Sequence, residues 1–141
     1  MDNAAKQFVI QQHTTPDSVH WDLMLEMEDT LWTWRLNVPP AEIGNEPVTA
    51  ERIHDHPLRF LTYEGPVQNN TGNVKIADKG TYVILEEMVN SLVVHYEGEV
   101  LEGQFRLLQA SNNKQWILEK NDRLKTKPHG QKCLPMLRDY L

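Results

Sequence analysis

His20-Trp21-Asp22-Leu23-Met24-Leu25-Glu26-Met27, then Glu28-Asp29, then Thr30-Leu31-Trp32-Thr33-Trp34-Arg35-Leu36-Asn37, is the stretch whose reading decides the fold. Two runs with alternating side chains flank an acidic pair, the pattern of two antiparallel strands joined by a tight turn. In the first run a period of two puts His20, Asp22, Met24 and Glu26 on one face. Trp21, Leu23, Leu25 and Met27 fall on the other, which is the core face. Taking Glu28 and Asp29 as a two-residue loop pairs Met27 with Thr30, Leu25 with Trp32, Leu23 with Trp34 and Asp22 with Arg35. Directly opposed residues share a face, so Arg35 is expected to point toward His20 and Asp22. A slip of one residue would send it to the Trp-bearing core face instead.

Outward from this hairpin, further strands are expected over residues 7–13, 58–63, 74–77, 80–85, 92–97, 104–109 and 115–119, with turns at Asp78-Lys79-Gly80 and around 98–103. Residues 38–47 contain three prolines and a glycine and read as a surface loop. Helix signals are confined to a short turn near residues 50–54 and part of the tail. About eight or nine strands with little helix give an all-β fold, a compact antiparallel barrel or sandwich and no βαβ arrangement.

The 141 residues suffice for one core. Residues 1–120 are read as that domain, and 121–141 as a basic C-terminal tail packed on it or extending from it. The tail holds five of the 14 Lys and Arg but two of the 20 Asp and Glu. A formal charge of −6 argues against a general nucleic-acid coat, which needs Lys and Arg to displace counterions, but leaves room for a local site. Cys133 is the only cysteine, so no intrachain disulfide forms. With neither a secretory h-region nor an 18-residue apolar run, the protein is expected to be soluble and cytoplasmic with no membrane partner; a monomer is expected.

His20 and Asp22 lie about 7 Å apart along the strand, close enough for both to reach one ion. His13 ends the preceding strand, and the connection through Pro16 and Asp17 would bring it alongside as a third ligand. Two imidazoles and a carboxylate suit manganese, iron or zinc with positions left open. A solvent-facing strand also produces such a pair by chance, its histidine merely bonding the carboxylate. A second cluster, His54-Asp55-His56, precedes Pro57; its plainer reading is a solvated turn. His95 and His129 have no evident partner.

These residues resemble a known family. His13, His20-Trp21-Asp22-Leu23-Met24-Leu25-Glu26, Trp34, Asp55-His56-Pro57-Leu58, Tyr63-Glu64-Gly65, Asp78-Lys79-Gly80-Thr81-Tyr82 and Trp116-Ile117-Leu118 are similar in order and spacing to the 3′-phosphoesterase domain of bacterial DNA ligase D. The resemblance covers Phe8 to Lys120. It implies a small β-barrel that uses manganese to resect 3′-terminal ribonucleotides and remove 3′-phosphates, with zinc or another divalent transition metal as a substitute. It implies that His13, His20 and Asp22 are metal ligands and that His56 engages the scissile phosphate. The implied partners are a nucleic-acid 3′ end or a nucleotide, with a separate DNA ligase or polymerase as a candidate.

The chain also departs from the family. Met24 stands where the family has a phosphate-binding arginine, Phe60 replaces a tyrosine, and Val38 replaces a lysine. No counterpart of the family's basic N-terminal arm is expected, and the gap from His13 to His20 is one residue longer. Arg35, from the opposite strand, is the candidate to replace the missing arginine; its plainer role is an ion pair with Asp22. The expected activity is therefore metal-dependent phosphoester hydrolysis at DNA 3′ ends in repair, with His56 and Arg35 as catalytic residues. The alternative is a metal- or phosphate-binding barrel that has lost turnover.

Overall fold

The computed structural model describes residues 5–67, 72–110, 112 and 114–121. The expectations placed on the basic tail fall on residues 122–141, outside the described residues. Nine strands follow one another: β1 Lys6–Thr14, β2 Val19–Met27, β3 Thr30–Leu36, β4 Val48–His56, β5 Gly65–Val67, β6 Gly72–Met88, β7 Ser91–Gly98, β8 Glu102–Gln109 and β9 Gln115–Lys120. Two short 3-10 turns, Pro40–Glu42 and Leu58–Leu61, are the helical elements among the described residues. Adjacent strands pair antiparallel in the order β1-β2-β3-β4-β9-β8-β7-β6, and β6 returns to β1. Eight strands thus close a barrel, and β5 lies against β6 as a ninth. Among the described residues no helix is long and apolar enough to cross a membrane.

The barrel is filled from the expected face of the hairpin. Leu23, Leu25, Trp34 and Leu36 join Phe8, Ile10, Tyr96, Phe105, Leu107 and Leu118 in one buried cluster. The β2–β3 register is the one the two-residue loop dictates, with Asp22 opposite Arg35 and Met27 opposite Thr30. Glu28 accepts a φ of 56° to make that turn, a left-handed conformation that costs a non-glycine residue about 1 kcal/mol.

Three local expectations are corrected. Residues 50–54 belong to strand β4, because Ala50 pairs with Trp116 and Arg52 with Trp34, and this pairing overrides the helix propensity of Ala-Glu-Arg. Residues 58–63 do not form a strand. Pro57, at φ −64°, leads into a 3-10 turn closed by the Phe60 N–H on the Pro57 carbonyl at 3.1 Å. The supposed turn at Asp78-Lys79-Gly80 lies inside β6, which runs unbroken for 17 residues. Gly80 is there for close approach: a Cβ on it would sit 2.1 Å from the Glu97 carbonyl oxygen of the paired strand.

Asp78 is buried, yet its carboxylate is fully partnered. It accepts the backbone N–H groups of Lys79 (2.8 Å), Glu99 (2.8 Å), Val100 (3.0 Å) and Leu101 (2.7 Å), fixing the β7–β8 turn against β6. Removing the carboxylate would take the acceptor from four backbone donors at once, that of Leu101 buried and the others part-buried. Asp78→Ala is expected to cost roughly 3 kcal/mol, read as a lower urea midpoint at unchanged slope, and Asp78→Asn less; an unchanged midpoint in Asp78→Ala would contradict this role.

Candidate metal centre and phosphate pocket

The face of β1–β3 turned away from the barrel interior carries the polar residues. His13 pairs directly with His20, Gln11 with Asp22, and Asp22 with Arg35, so these side chains form rows across three strands. The two imidazoles meet edge to face with centroids 4.6 Å apart. One ligand-capable atom from each of His13, His20 and Asp22 lies within 4.8 Å of the others. The Nε2 atoms of His13 and His20 are buried without any hydrogen-bond partner, and His20 Nε2 lies 3.8 Å from Asp22 Oδ2. Buried polar atoms without partners are costly. Two unpartnered imidazole nitrogens converging with a buried carboxylate fit the donor set of a divalent transition metal.

Burial lowers the proton affinity of His13 and of His20, with Asp22 opposing and Arg35 reinforcing the effect. Both rings are therefore neutral at pH 7, the form that donates to a metal. Gly72 leaves room for this arrangement, because a Cβ there would lie 2.5 Å from His13 Nε2. Arg35 donates from Nε to Asp22 Oδ1 at 3.1 Å. The cross-strand ion pair is thus present, while the terminal guanidinium nitrogens of Arg35 have no partner among the described residues.

His56 reaches the same face by a bulge. Thr33 pairs with Ile53 but Leu31 pairs with His56, so β4 carries one residue more than β3 over this interval. The insertion reverses the alternation of β4 and turns His56 outward with Thr33 and Leu31. His56 Nδ1 lies 3.1 Å from the His54 carbonyl and 3.1 Å from Thr33 Oγ1. A carbonyl only accepts, so Nδ1 carries the proton and Nε2 is left to meet a ligand. Burial lowers the pKa of His56, with Asp22 acting against it. The His54 ring stacks on it, centroids 4.7 Å apart at 10°.

A cavity of about 390 Å³ is lined by His13, Asp22, Arg35 and His56 together with Arg59, Phe60 and Tyr63. His20, paired with His13, is outside that lining. A second cavity of similar volume, under the loop from Asn37 to Thr49, has no histidine in its lining. His95 stays on the surface, 3.2 Å from Glu97.

A sequence model of the DNA ligase D 3′-phosphoesterase domain matches residues 11–120 of the chain. The chain belongs to this family. Two relatives are both multifunctional non-homologous end joining proteins LigD. The one from Mycolicibacterium smegmatis is 28% identical over 127 residues, covering 79% of this chain and 16% of the relative. The one from Pseudomonas aeruginosa is 26% identical over 125 residues, covering 81% and 15%. The chain thus spans about a sixth of the length of either relative.

Against this 3′-phosphoesterase family, the departures have a structural setting. Met24 is buried with Val9 and Leu31 beneath Leu58, Phe60 and Leu61, so the position where the family has an arginine here anchors the 3-10 turn. Phe60 packs edge-on to His56, centroids 5.6 Å apart, without a hydroxyl. Gln11, which the motif reading passed over, is buried and donates from Nε2 to the carbonyls of Phe60 (3.0 Å) and Tyr63 (2.9 Å). It ties the cavity's outer wall to β1. Its place two residues before His13, on the same strand face, was the available signal.

Two outcomes are expected of the metal centre. Calorimetry with manganese should show binding lost in His13→Ala and His20→Ala and weakened at least ten-fold in Gly72→Ala. Because both imidazoles hold protons less tightly than in the unfolded chain, metal-free protein should lose stability as pH falls through about 6.5, where the unfolded histidines protonate. Thermal melts from pH 8 to 5 check the sign, since the unfolded state binds more protons in that window.

Proposed function

We propose that this domain is a divalent-metal-dependent phosphoesterase acting on 3′-phosphate or 3′-ribonucleotide ends of DNA during end joining, as the family membership and the names of its relatives suggest. The observation that carries the reading is the convergence of His13, His20 and Asp22, two of them with unpartnered buried nitrogens, at a cavity that His13 and Asp22 line with His56 and Arg35. Manganese is the proposed ion, held by those three residues, with zinc as a substitute. When bound, it would supply charge to offset a phosphoryl oxygen and lower the pKa of a water molecule.

The chain's own residues supply the rest. Arg35, fixed through Nε by Asp22, offers its terminal N–H groups to a phosphate oxygen and takes over the work of the arginine that Met24 replaces. Neutral His56, its Nδ1–H held by the His54 carbonyl, presents Nε2 as an acceptor. A phosphate dianion nearby would raise its proton affinity and convert it to a donor for the leaving oxygen. The apolar packing of Phe60 beside His56 limits water at that ring. A separate DNA ligase that seals the processed end is the proposed partner.

Met24 and Phe60 favour a second reading, in which the barrel binds metal and phosphate without turnover. One assay separates the two: release of phosphate from a 3′-phosphorylated primer with manganese. The phosphoesterase reading predicts turnover by the wild type, at least a 100-fold lower kcat in His56→Ala, and manganese affinity in that variant within a few-fold of wild type. Wild-type protein that binds manganese and the primer but releases no phosphate would establish the second reading. Loss of the metal in His56→Ala would make His56 a ligand and overturn its assignment.

A further inference from the structure

We propose that Arg59 is an arm for an internucleotide phosphate, which makes the cavity select a polynucleotide 3′ end over a lone nucleotide. The proposal rests on the phosphoesterase reading for where the terminal phosphate sits. Arg59 lies on the 3-10 turn Leu58–Leu61 and lines the cavity that His13, Asp22, Arg35 and His56 line. Its guanidinium lies over the rings of Phe60, 4.7 Å from the centroid, and Tyr63, 5.5 Å. Those two rings themselves meet edge to face at 5.5 Å, and the turn beneath them is held by the two Gln11 hydrogen bonds. Arg59 is itself exposed, and the two ring contacts favour a guanidinium position over the aromatic part of the cavity lining.

It is also unspent. Asp55 and Glu64, the acids near it in sequence, are engaged elsewhere, Asp55 with Arg52 at 3.3 Å and Glu64 with the Ile76 N–H at 2.8 Å. No ion pair or hydrogen bond of the Arg59 side chain occurs among the described residues, so its fork of N–H donors is open. In a chain of net charge −6, one cavity thus gathers two guanidinium groups and a single lining carboxylate, Asp22, which Arg35 already pairs. Arg35 stands at the metal-ligand cluster, where one phosphate would sit. Arg59, elsewhere in the same lining, suits a second phosphate, and successive phosphates are what a strand end presents.

The test is an anisotropy titration of a fluorescent 3′-phosphorylated tetranucleotide in EDTA, with a nucleoside 3′-monophosphate as competitor. Arg59→Ala should weaken the tetranucleotide at least ten-fold and leave the monophosphate within two-fold. It should also flatten the slope of log affinity against log salt by about 0.7, the loss of one contact to a single strand. Arg59→Lys should keep the slope. Equal losses for both ligands, an unchanged slope in Arg59→Ala, or no measurable wild-type binding would each overturn the proposal. Because no turnover is needed, Arg59-dependent binding by a wild type that fails to hydrolyse the 3′-phosphate with manganese would support the arm and count against the phosphoesterase reading alone.

Discussion

The pairing register of β1, β2 and β3 is the constraint on which everything else depends. With a side-chain period of two, a slip of one residue between β2 and β3 would drive the Arg35 guanidinium into the barrel and bring Trp34 out. The register is held from two directions. Inside, Leu23, Leu25, Trp34 and Leu36 are buried; at the end, Glu28 adopts its left-handed conformation to keep the loop at two residues. The strain at Glu28 is small against the burial of those four side chains, each worth about 1.5–3 kcal/mol, so the register holds without an Asn-Gly turn.

Given that register, the centre assembles with little further cost. Strand pairing sets His13 beside His20 and Asp22 beside Arg35, and burial keeps the imidazoles neutral. The energetic debt is the pair of unpartnered Nε2 atoms, which a metal ion would discharge. The apolar patch of Val9, Met24 and Leu31 under Leu58, Phe60 and Leu61 does the complementary work of clamping the 3-10 turn over the site. That turn carries Arg59 and Phe60 into the cavity lining.

The hairpin, its facing residues and the juxtaposition of His13, His20 and Asp22 were legible in the sequence because strict alternation and short loops constrain the register. The barrel was legible as a count of strands. What was not legible was whatever depends on a bulge or on distant pairing. Alternation continued along β4 from Ala50 would have turned His56 inward; only the extra residue opposite Thr33 and Leu31 brings it to the cavity. Asp78-Lys79-Gly80 has turn chemistry, yet here the aspartate secures a distant turn and the glycine admits a neighbouring backbone. Arg59 gave no periodic signal, since its meaning comes from a segment folded back over β1.

The central claim is that His13, His20 and Asp22 hold one divalent ion with His56 outside its coordination. A crystal structure of manganese-loaded protein, with anomalous difference maps recorded at the manganese edge, tests it most directly. The account predicts one strong peak within bonding distance of His13 Nε2, His20 Nε2 and the Asp22 carboxylate, with His56 beside it and unbonded. A peak elsewhere, or full occupancy that leaves His20 Nε2 unbonded, would contradict it.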